Sequence, residues 1–172
     1  DQVTLSVNGN SYTTSVVDDG AGNLSYSTTV ATADLIADNS VEASVTAADA
    51  AGNSETATAT RDITADTEIA AGITIDTIAG DDMINAAEAE QNFTAVSGTV
   101  SGDVVAGDQV TLSVNGNSYT TSVVDDGAGN LSYSTTVATA DLIADNSVEA
   151  SVTAADAAGN SETATATRDI TA

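Results

Sequence analysis

The sequence predicts an all-β protein made of short antiparallel strands packed as a sandwich, and three observations support this. Apolar and polar residues alternate with a period of two over most of the chain, which is typical of strands with one buried face. Turn signals rich in Gly, Asn and Asp separate the alternating stretches at short intervals. Hydrophobic residues make up 41% of the chain, enough to form a core despite the high charge.

The chain also repeats itself. Residues 1–65 recur without a change at 108–172, an offset of 107 residues. A period of this length is too long for one unit of a solenoid, and it fits one autonomous domain per repeat. We therefore expect residues 66–172 to form one complete domain. Residues 1–65 would supply strands three to seven of another domain in tandem with it, and the linker would lie near residues 62–71.

About seven strands can be assigned within the complete repeat. Val110, Leu112 and Val114 fall on one face of the third strand, and Asn115-Gly116 favours a tight hairpin turn after it. Seven short strands in about 100 residues indicate an immunoglobulin-like antiparallel β-sandwich. Two further segments, 85–90 and 139–143, are predicted as single helical turns. The predicted strands are residues 72–76, 93–100, 110–114, 119–123, 131–137, 148–154 and 163–169.

The strongly negative charge of the chain excludes several classes of function. There are 26 Asp and Glu residues against 2 basic residues, which gives a formal net charge of −24. Phosphates and anionic lipid surfaces would be repelled, so we expect no nucleic-acid binding. No run of about 20 apolar residues exists, so we expect no membrane insertion. The chain has no His, Lys or Cys to serve as base or nucleophile, so we expect no enzyme activity. Carboxylates alone can hydrolyse glycosides, but only 3% of residues are aromatic and could line a sugar site.

The acidic residues concentrate in the predicted loops and the linker, beside Asn amides and Gly-rich backbone. Ca²⁺ binds about 6–8 such oxygen ligands, whereas softer metals would lack their His and Cys ligands. Ordinary turn formation is the alternative role of the same residues. We expect Ca²⁺ to bind here, because a bound dication turns repulsion between carboxylates into attraction. The candidate ligands are Asp18, Asp19, Asp49, Asn53, Asp62, Asp66, Asp76, Asp81, Asp82, Asn85, Glu88, Asp125, Asp126, Asn130, Asp156 and Asn160.

Five short motifs follow one another in a distinctive order. They are residues 73–76 (ITID), 80–88 (GDDMINAAE), 97–100 (SGTV), 107–116 (GDQVTLSVNG) and 156–160 (DAAGN). Their order and spacing resemble the bacterial immunoglobulin-like extender repeats of giant RTX adhesins, including marine biofilm and ice-binding adhesins. The resemblance implies a secreted, cell-surface fibre anchored in the outer membrane. It further implies that adjacent repeats of one chain, rigidified by Ca²⁺, hold a distal ligand-binding region away from the cell.

Two other expectations concern association and binding. Residues 1–65 would have an unpaired sheet edge, which predicts either that they exchange strands with another molecule or that the chain is one window of a longer periodic chain. The alternative function is an immunoglobulin-like module that binds ice or a glycan, because Thr163, Thr165 and Thr167 fall on one face of the last strand. A single short row on a twisted sheet is not a flat array, so we favour the structural role.

Overall fold

Alternating apolar and polar residues form antiparallel strands throughout the chain, as the sequence predicts. The computed structural model describes residues 1–172, which fall into two units, Asp1–Asp66 and Thr67–Ala172. These are called unit 1 and unit 2. Each unit contains one helix of six residues, and neither helix is long and apolar enough to cross a membrane.

The secondary structure elements are numbered in chain order. In unit 1 they are β1 (Gln2–Val7), β2 (Asn10–Ser15), β3 (Val17–Asp18), β4 (Leu24–Ser25), α1 (Thr32–Ala37), β5 (Ser40–Ala48) and β6 (Ser54–Asp62). In unit 2 they are β7 (Ala71–Ile73), β8 (Phe93–Gly102), β9 (Gln109–Val114), β10 (Asn117–Ser122), β11 (Val124–Asp125), β12 (Leu131–Ala138), α2 (Thr139–Ala144), β13 (Ser147–Ala155) and β14 (Ser161–Asp169).

Unit 2 has two four-stranded antiparallel sheets, and this architecture confirms the predicted fold class. The strand orders are β10-β9-β13-β14 and β11-β12-β8-β7. Val110, Leu112 and Val152 from the first sheet pack in one core with Val96 and Tyr133 from the second. Most of these side chains are small, so each one buries little area at about 25 cal/mol per Å². The core therefore depends on good packing across both inner faces.

The predicted strands correspond to β7, β8, β9, β10, β12, β13 and β14, and the predicted helical turn at 139–143 is α2. β7 ends at Ile73, earlier than expected, although Asp76 N still donates to Ser97 O at 2.8 Å. The two-residue strand β11 was not predicted. The segment 85–90, predicted as a single helical turn, contains one helix-like hydrogen bond, from Ala89 N to Asn85 O at 2.9 Å, but is assigned as turns rather than as a helix.

Residues 1–65 of unit 1 have the same sequence as residues 108–172 and form the corresponding strands, but one of these strands, β4, is much shorter than its counterpart β12. The one large sheet of unit 1 has the order β2-β1-β5-β6, beside the short pair β3-β4. Residues 24–31 match β12 residue for residue, yet only Leu24 and Ser25 are assigned to a strand. In unit 2, β12 pairs with β8 over eight positions, and unit 1 contains no counterpart of β8. The long strand therefore requires its partner as well as its sequence.

Candidate metal centre

The strand register places the candidate loops at two opposite ends of unit 2. Loops 125–130 and 156–160 lie at the end where β8 finishes and β12 begins. The segment 74–92 lies at the other end, where Thr171 N donates to Asp82 O at 2.8 Å. The loops at each end could therefore contribute oxygen ligands to one region of the surface.

Arg168, which lies in β14, binds the carboxylate of Asp82. Its Nε donates to Asp82 Oδ1 at 2.7 Å, and its Nη2 donates to Oδ2. Ile78 N also donates to Oδ1, at 2.9 Å. Hydrogen bonding to the guanidinium lowers the pKa of Asp82, so this carboxylate stays charged and ties the segment to β14. A cation would have to compete with Arg168 for it.

The other candidates in segment 74–92 form hydrogen bonds with neighbouring residues of unit 2. Asp76 Oδ2 accepts from the Ser97 hydroxyl at 2.8 Å, and Asp81 Oδ1 accepts from a backbone N–H two residues on. Asn85 and Glu88 form a reciprocal cap, in which Asn85 Oδ1 accepts from Glu88 N and Glu88 Oε2 accepts from Asn85 N at 2.9 Å. These hydrogen bonds hold segment 74–92 in its conformation.

Loops 125–130 and 156–160 close in the same way. Asp126 Oδ1 accepts from Asn130 N at 3.1 Å, while its Oδ2 accepts from the Asn130 side-chain amide at 2.7 Å. Asp156 makes the same pair of bonds with Asn160, at 2.9 and 2.7 Å. The amide hydrogen bonds lower the pKa of both carboxyls. The copies in unit 1, Asp19 with Asn23 and Asp49 with Asn53, keep this geometry, so the local sequence determines it.

The remaining candidates lie next to these loops or at the end of unit 1. Asp125 Oδ1 accepts from Gly127 N at 2.7 Å, and Asp18 makes the same bond in unit 1. Asp62 Oδ1 accepts from the Ser40 hydroxyl at 3.1 Å, at the end of β6. Asp66 is the last residue of unit 1.

The donor atoms fit Ca²⁺ better than they fit other metals. Every candidate ligand presents oxygen, and the chain contains no His or Cys. No three acidic side chains lie close enough together to hold an ion among themselves. A site in either unit would therefore combine one or two carboxylates with amide and backbone oxygens, a mixture that Ca²⁺ accepts.

The sequence reasoning missed two acidic residues that the structure brings together. Asp145 and Glu149 line a shallow hollow of about 240 Å³, beside Asn115 at the tip of the β9–β10 hairpin. Asn115 N donates to Asp145 Oδ2 at 3.1 Å. The corresponding hollow in unit 1, of about 270 Å³, is lined by Asp38 and Glu42. Glu149 faces outward on β13, as the alternating pattern indicated. Its position beside the β9–β10 hairpin follows only from the strand register, which places it opposite Ser113.

A third missed residue, Asp141, is buried in the first turn of α2 with 9% of its surface exposed. It accepts hydrogen bonds from Tyr119 Oη and from the side-chain amides of Asn115 and Asn117, at 3.0 and 2.9 Å. These bonds lower the pKa of Asp141 and raise the pKa of Tyr119. Asp34 has equivalent partners in unit 1. The carboxylate of Asp141 therefore anchors the β9–β10 hairpin to α2.

Comparison with known proteins identifies relatives among bacterial adhesins. No protein-family model and no curated protein matches the chain. One similar solved structure is a Ca²⁺-stabilised adhesin that helps an Antarctic bacterium reach out and bind ice, with 44% identity over 99% of this chain and a TM-score of 0.79. Another is a 1.5-MDa bacterial ice-binding adhesin studied for its retention at the host cell surface, with 43% identity over 99% of this chain and a TM-score of 0.79.

These two matches are to longer chains, of which this chain spans 40% and 52%. A third match is a single domain, the bacterial immunoglobulin-like domain of the M. primoryensis ice-binding adhesin. It is 44% identical, with 98% of its length and 60% of this chain covered and a TM-score of 0.54. The sandwich fold of unit 2, the exact repeat in the sequence and the identities of 43–44% all indicate the same family. The chain therefore belongs to the family of bacterial immunoglobulin-like extender domains of large adhesins.

Proposed function

We propose that the chain is a length of structural extender in a secreted cell-surface adhesin, stabilised by Ca²⁺ and holding a distal ligand-binding region away from the cell. The observation that carries this proposal is the repetition of 65 residues without a change. Identical domains in series present identical surfaces, so their number adds length rather than new binding specificities. The matched adhesins, which bind ice or are retained at a cell surface, support the same role.

The calcium part of the proposal rests on charge and ligand chemistry. The chain carries a net charge of −24 and only oxygen ligands, and one matched adhesin is stabilised by Ca²⁺. Asp126 and Asp156 at one end of unit 2, and Asp76 and Asp81 at the other, are the carboxylates we propose as ligands. A bound Ca²⁺ would supply positive charge and bridge oxygens from neighbouring loops. Weak extracellular sites, with Kd of about 10⁻⁴–10⁻³ M, would suffice where calcium is millimolar.

Isothermal titration calorimetry of Ca²⁺ into the whole chain tests this part. The informative variants are Asp126→Asn and Asp156→Asn, because Asn still accepts the loop-closing backbone hydrogen bonds but carries no charge. We expect each variant to weaken Ca²⁺ binding at its site about tenfold or more. The matched control is Asp108→Asn, because Asp108 Oδ2 caps Val105 N outside the candidate loops.

The result separates an ion-binding role from a turn role. Weaker Ca²⁺ binding in the two loop variants, with unchanged binding in the control, supports the proposal. No Ca²⁺ binding by the unmodified chain would contradict it, and the loops would then act only as turns. Unchanged binding in both loop variants would remove Asp126 and Asp156 from the ligand set.

A second candidate function is binding of ice through a hydroxyl-rich face. The register extends the Thr row of β14 across the sheet, since Thr165 lies opposite Ser151, Ser151 opposite Thr111 and Thr111 opposite Thr120. Equivalent rows on either side contain Glu149 and Gln109, which interrupt the hydroxyl pattern.

Thermal hysteresis of the whole chain tests the ice-binding candidate. Thr165→Lys places a long charged side chain in the middle of this face, away from the core. Thermal hysteresis that disappears in Thr165→Lys would support ice binding. If the unmodified chain shows no thermal hysteresis, the extender role is the only one of the two candidates that remains.

A further inference from the structure

One Asn-Gly pair in each unit has the chemistry of a spontaneous modification site. The pairs are Asn115-Gly116 in unit 2 and Asn8-Gly9 in unit 1, and the chain contains no other. A glycine after Asn has no side chain, so its peptide nitrogen can approach the side-chain carbonyl carbon of the Asn. The sequence therefore places a reactive amide at the tip of the β9–β10 hairpin and at the tip of its counterpart in unit 1.

The atoms that would react are open to water. Asn115 and Gly116 are both exposed, and Gly116 N donates no hydrogen bond. A Cβ built at Gly116 would have no atom within 4 Å apart from its chain neighbours, so nothing crowds the nitrogen. Burial therefore does not protect this amide, and protection must come from the way in which Asn115 is held.

Two carboxylates hold the backbone and the side chain of Asn115. Asn115 Nδ2 donates to Asp141 Oδ1 at 3.0 Å, and Asn115 N donates to Asp145 Oδ2 at 3.1 Å. Asp141 lies in the first turn of α2, and Asp145 is the C-cap residue of the same helix. Because hydrogen bonds to charged acceptors are stronger than those between neutral groups, α2 restrains Asn115 at both ends.

Asn8 is held in the same way in unit 1. Asn8 Nδ2 donates to Asp34 Oδ1 at 3.0 Å, and Asn8 N donates to Asp38 Oδ2 at 2.9 Å. Asp34 lies in the first turn of α1, and Asp38 is its C-cap residue. The arrangement therefore recurs wherever the hairpin and helix sequences recur, although the two units differ in the length of a neighbouring strand.

We propose that Asn115 and Asn8 are deamidation sites that the folded units keep closed, and that each site opens when its hairpin separates from the adjoining helix. In the reaction, Gly116 N forms a bond to Asn115 Cγ, the Cγ–Nδ2 bond breaks, and the proton of Gly116 N passes through water to the ammonia that leaves. Water then opens the succinimide ring at either carbonyl, which yields Asp or isoaspartate. The reaction consumes only water, and it does not depend on the proposed function.

Loss of the amide would weaken the contact that protects it. A carboxylate at position 115 would face Asp141 in place of a hydrogen-bond donor, and two close carboxylates repel each other. Asn115→Asp reproduces one product. Its matched control is Asn115→Gly, which removes the amide, accepts the positive φ and adds no charge. We expect a lower midpoint of thermal unfolding in Asn115→Asp than in Asn115→Gly by circular dichroism, and an equal or higher midpoint would overturn this step.

Peptide mapping by mass spectrometry, during incubation in mildly alkaline buffer, measures the rate of deamidation in the whole chain. The reference is a synthetic peptide of residues 111–119, which keeps the sequence neighbours of Asn115 but has no helix to hold it. We expect Asn115 to deamidate about tenfold or more slowly in the folded chain than in the peptide, because only the open state reacts. Fragments that extend ahead of residue 108 identify Asn115, and labelling of the Asp1 amino group identifies Asn8.

Three variants assign the protection to the helix carboxylates. Asp145→Ala removes the bond to Asn115 N, and we expect deamidation of Asn115 to become about tenfold faster, while Asn8 keeps its rate. Glu149→Ala is the matched control, because it removes a negative charge from the same hollow but no hydrogen bond to Asn115. Asp38→Ala is the reciprocal variant, and it should accelerate deamidation of Asn8 alone.

Equal rates in the folded chain and in the peptide would overturn the proposal. Equal rates at Asn115 in Asp145→Ala and Glu149→Ala would also overturn it, because loss of negative charge would then explain the change without the hydrogen bond. If circular dichroism shows that Asp145→Ala does not fold, Asp38→Ala still decides the question, since it removes the same hydrogen bond in unit 1.

Discussion

At the scale of single residues, the exact repeat lets one side chain be compared in two surroundings. Tyr133 is buried and donates to Thr74 O at 2.7 Å, and its pKa is raised to about 12 by burial and by the charge of Asp76. Tyr26 has the same sequence neighbours but is half exposed. The two residues therefore isolate the contribution of tertiary packing.

Tyr133→Phe should destabilise unit 2, because Thr74 O loses a hydrogen bond in a partly buried position. We expect a loss of about 0.5–1.5 kcal/mol in the free energy of unfolding, measured by chemical denaturation. Tyr26→Phe is the matched control and should change stability by less than about 0.5 kcal/mol. Equal losses in the two variants would mean that the Thr74 contact is unimportant.

The carboxylate of Asp141 gives the stability of unit 2 a dependence on acid pH. Its pKa is lowered by hydrogen bonds from Tyr119 and Asn115, so its contribution is present above the pKa of the unfolded chain, about 3.9. That contribution is lost as the pH falls through the lower, folded pKa. Acid also neutralises the self-repulsion of the chain, which acts in the opposite direction.

We therefore predict the pH effect of Asp141 as a difference between two proteins. The difference in midpoint of unfolding between the unmodified chain and Asp141→Asn should be largest near neutral pH and shrink below pH of about 4. Circular dichroism melts across this range would measure it. A difference independent of pH would mean that the charge of Asp141 contributes nothing to folding.

The high pKa of Tyr133 makes the opposite prediction in alkali. Its folded pKa of about 12 lies above the unfolded value of 10.0, so its contribution is present below pH 10.0 and is lost as the pH rises toward 12. Tyr133→Phe should remove part of this alkaline loss of stability. The same circular dichroism melts would measure this transition. An unchanged alkaline transition in Tyr133→Phe would contradict its assignment to Tyr133.

At the scale of elements, β8 determines whether its neighbour forms a complete strand. Gly98 lies in the middle of β8, buried against Tyr133. An added Cβ would lie 1.9 Å from Thr74 O, a backbone atom that cannot easily move. Gly98 is therefore required by close packing between β8 and residue 74, rather than by an unusual backbone conformation.

Gly98→Ala should destabilise unit 2 by about 3 kcal/mol or more, the upper range for overpacking a core. The matched control is Gly72→Ala, whose Cβ would meet the movable Ser101 side chain at 2.4 Å and should cost much less. Denaturant unfolding of both variants measures the difference. Similar stabilities for the two would contradict the close packing described around Gly98.

The alternating pattern predicted the strands because each has one buried and one exposed face. It could not predict β11, since Val124 and Asp125 are both exposed and form no alternating stretch. Nor could it predict that residues 24–31 and 131–138 differ, because their sequences are identical. Strand length there depends on a partner distant in the chain, and local pattern contains no information about it.

At the scale of the whole molecule, the acidic composition indicated calcium without locating it. The candidate residues of unit 2 lie at two ends of its sandwich, but Asp126 and Asp156 accept hydrogen bonds within their own loops, and Asp82 is bound by Arg168. Asp82 could not be recognised from sequence as the partner of Arg168, 86 residues away. That Asp145 and Glu149 line the same hollow beside the β9–β10 hairpin likewise depends on strand register.

We propose that calcium holds this chain, with its net charge of −24, in its folded form. The most direct measurement is a circular dichroism melt in EDTA, in CaCl₂ at about a hundredfold excess over Kd, and in MgCl₂ as control. Each occupied site would then add about 2.7 kcal/mol, or about 10–20 °C in Tm for a domain of this size. We predict this gain with calcium and little with magnesium. Equal melts in all three buffers would contradict the claim.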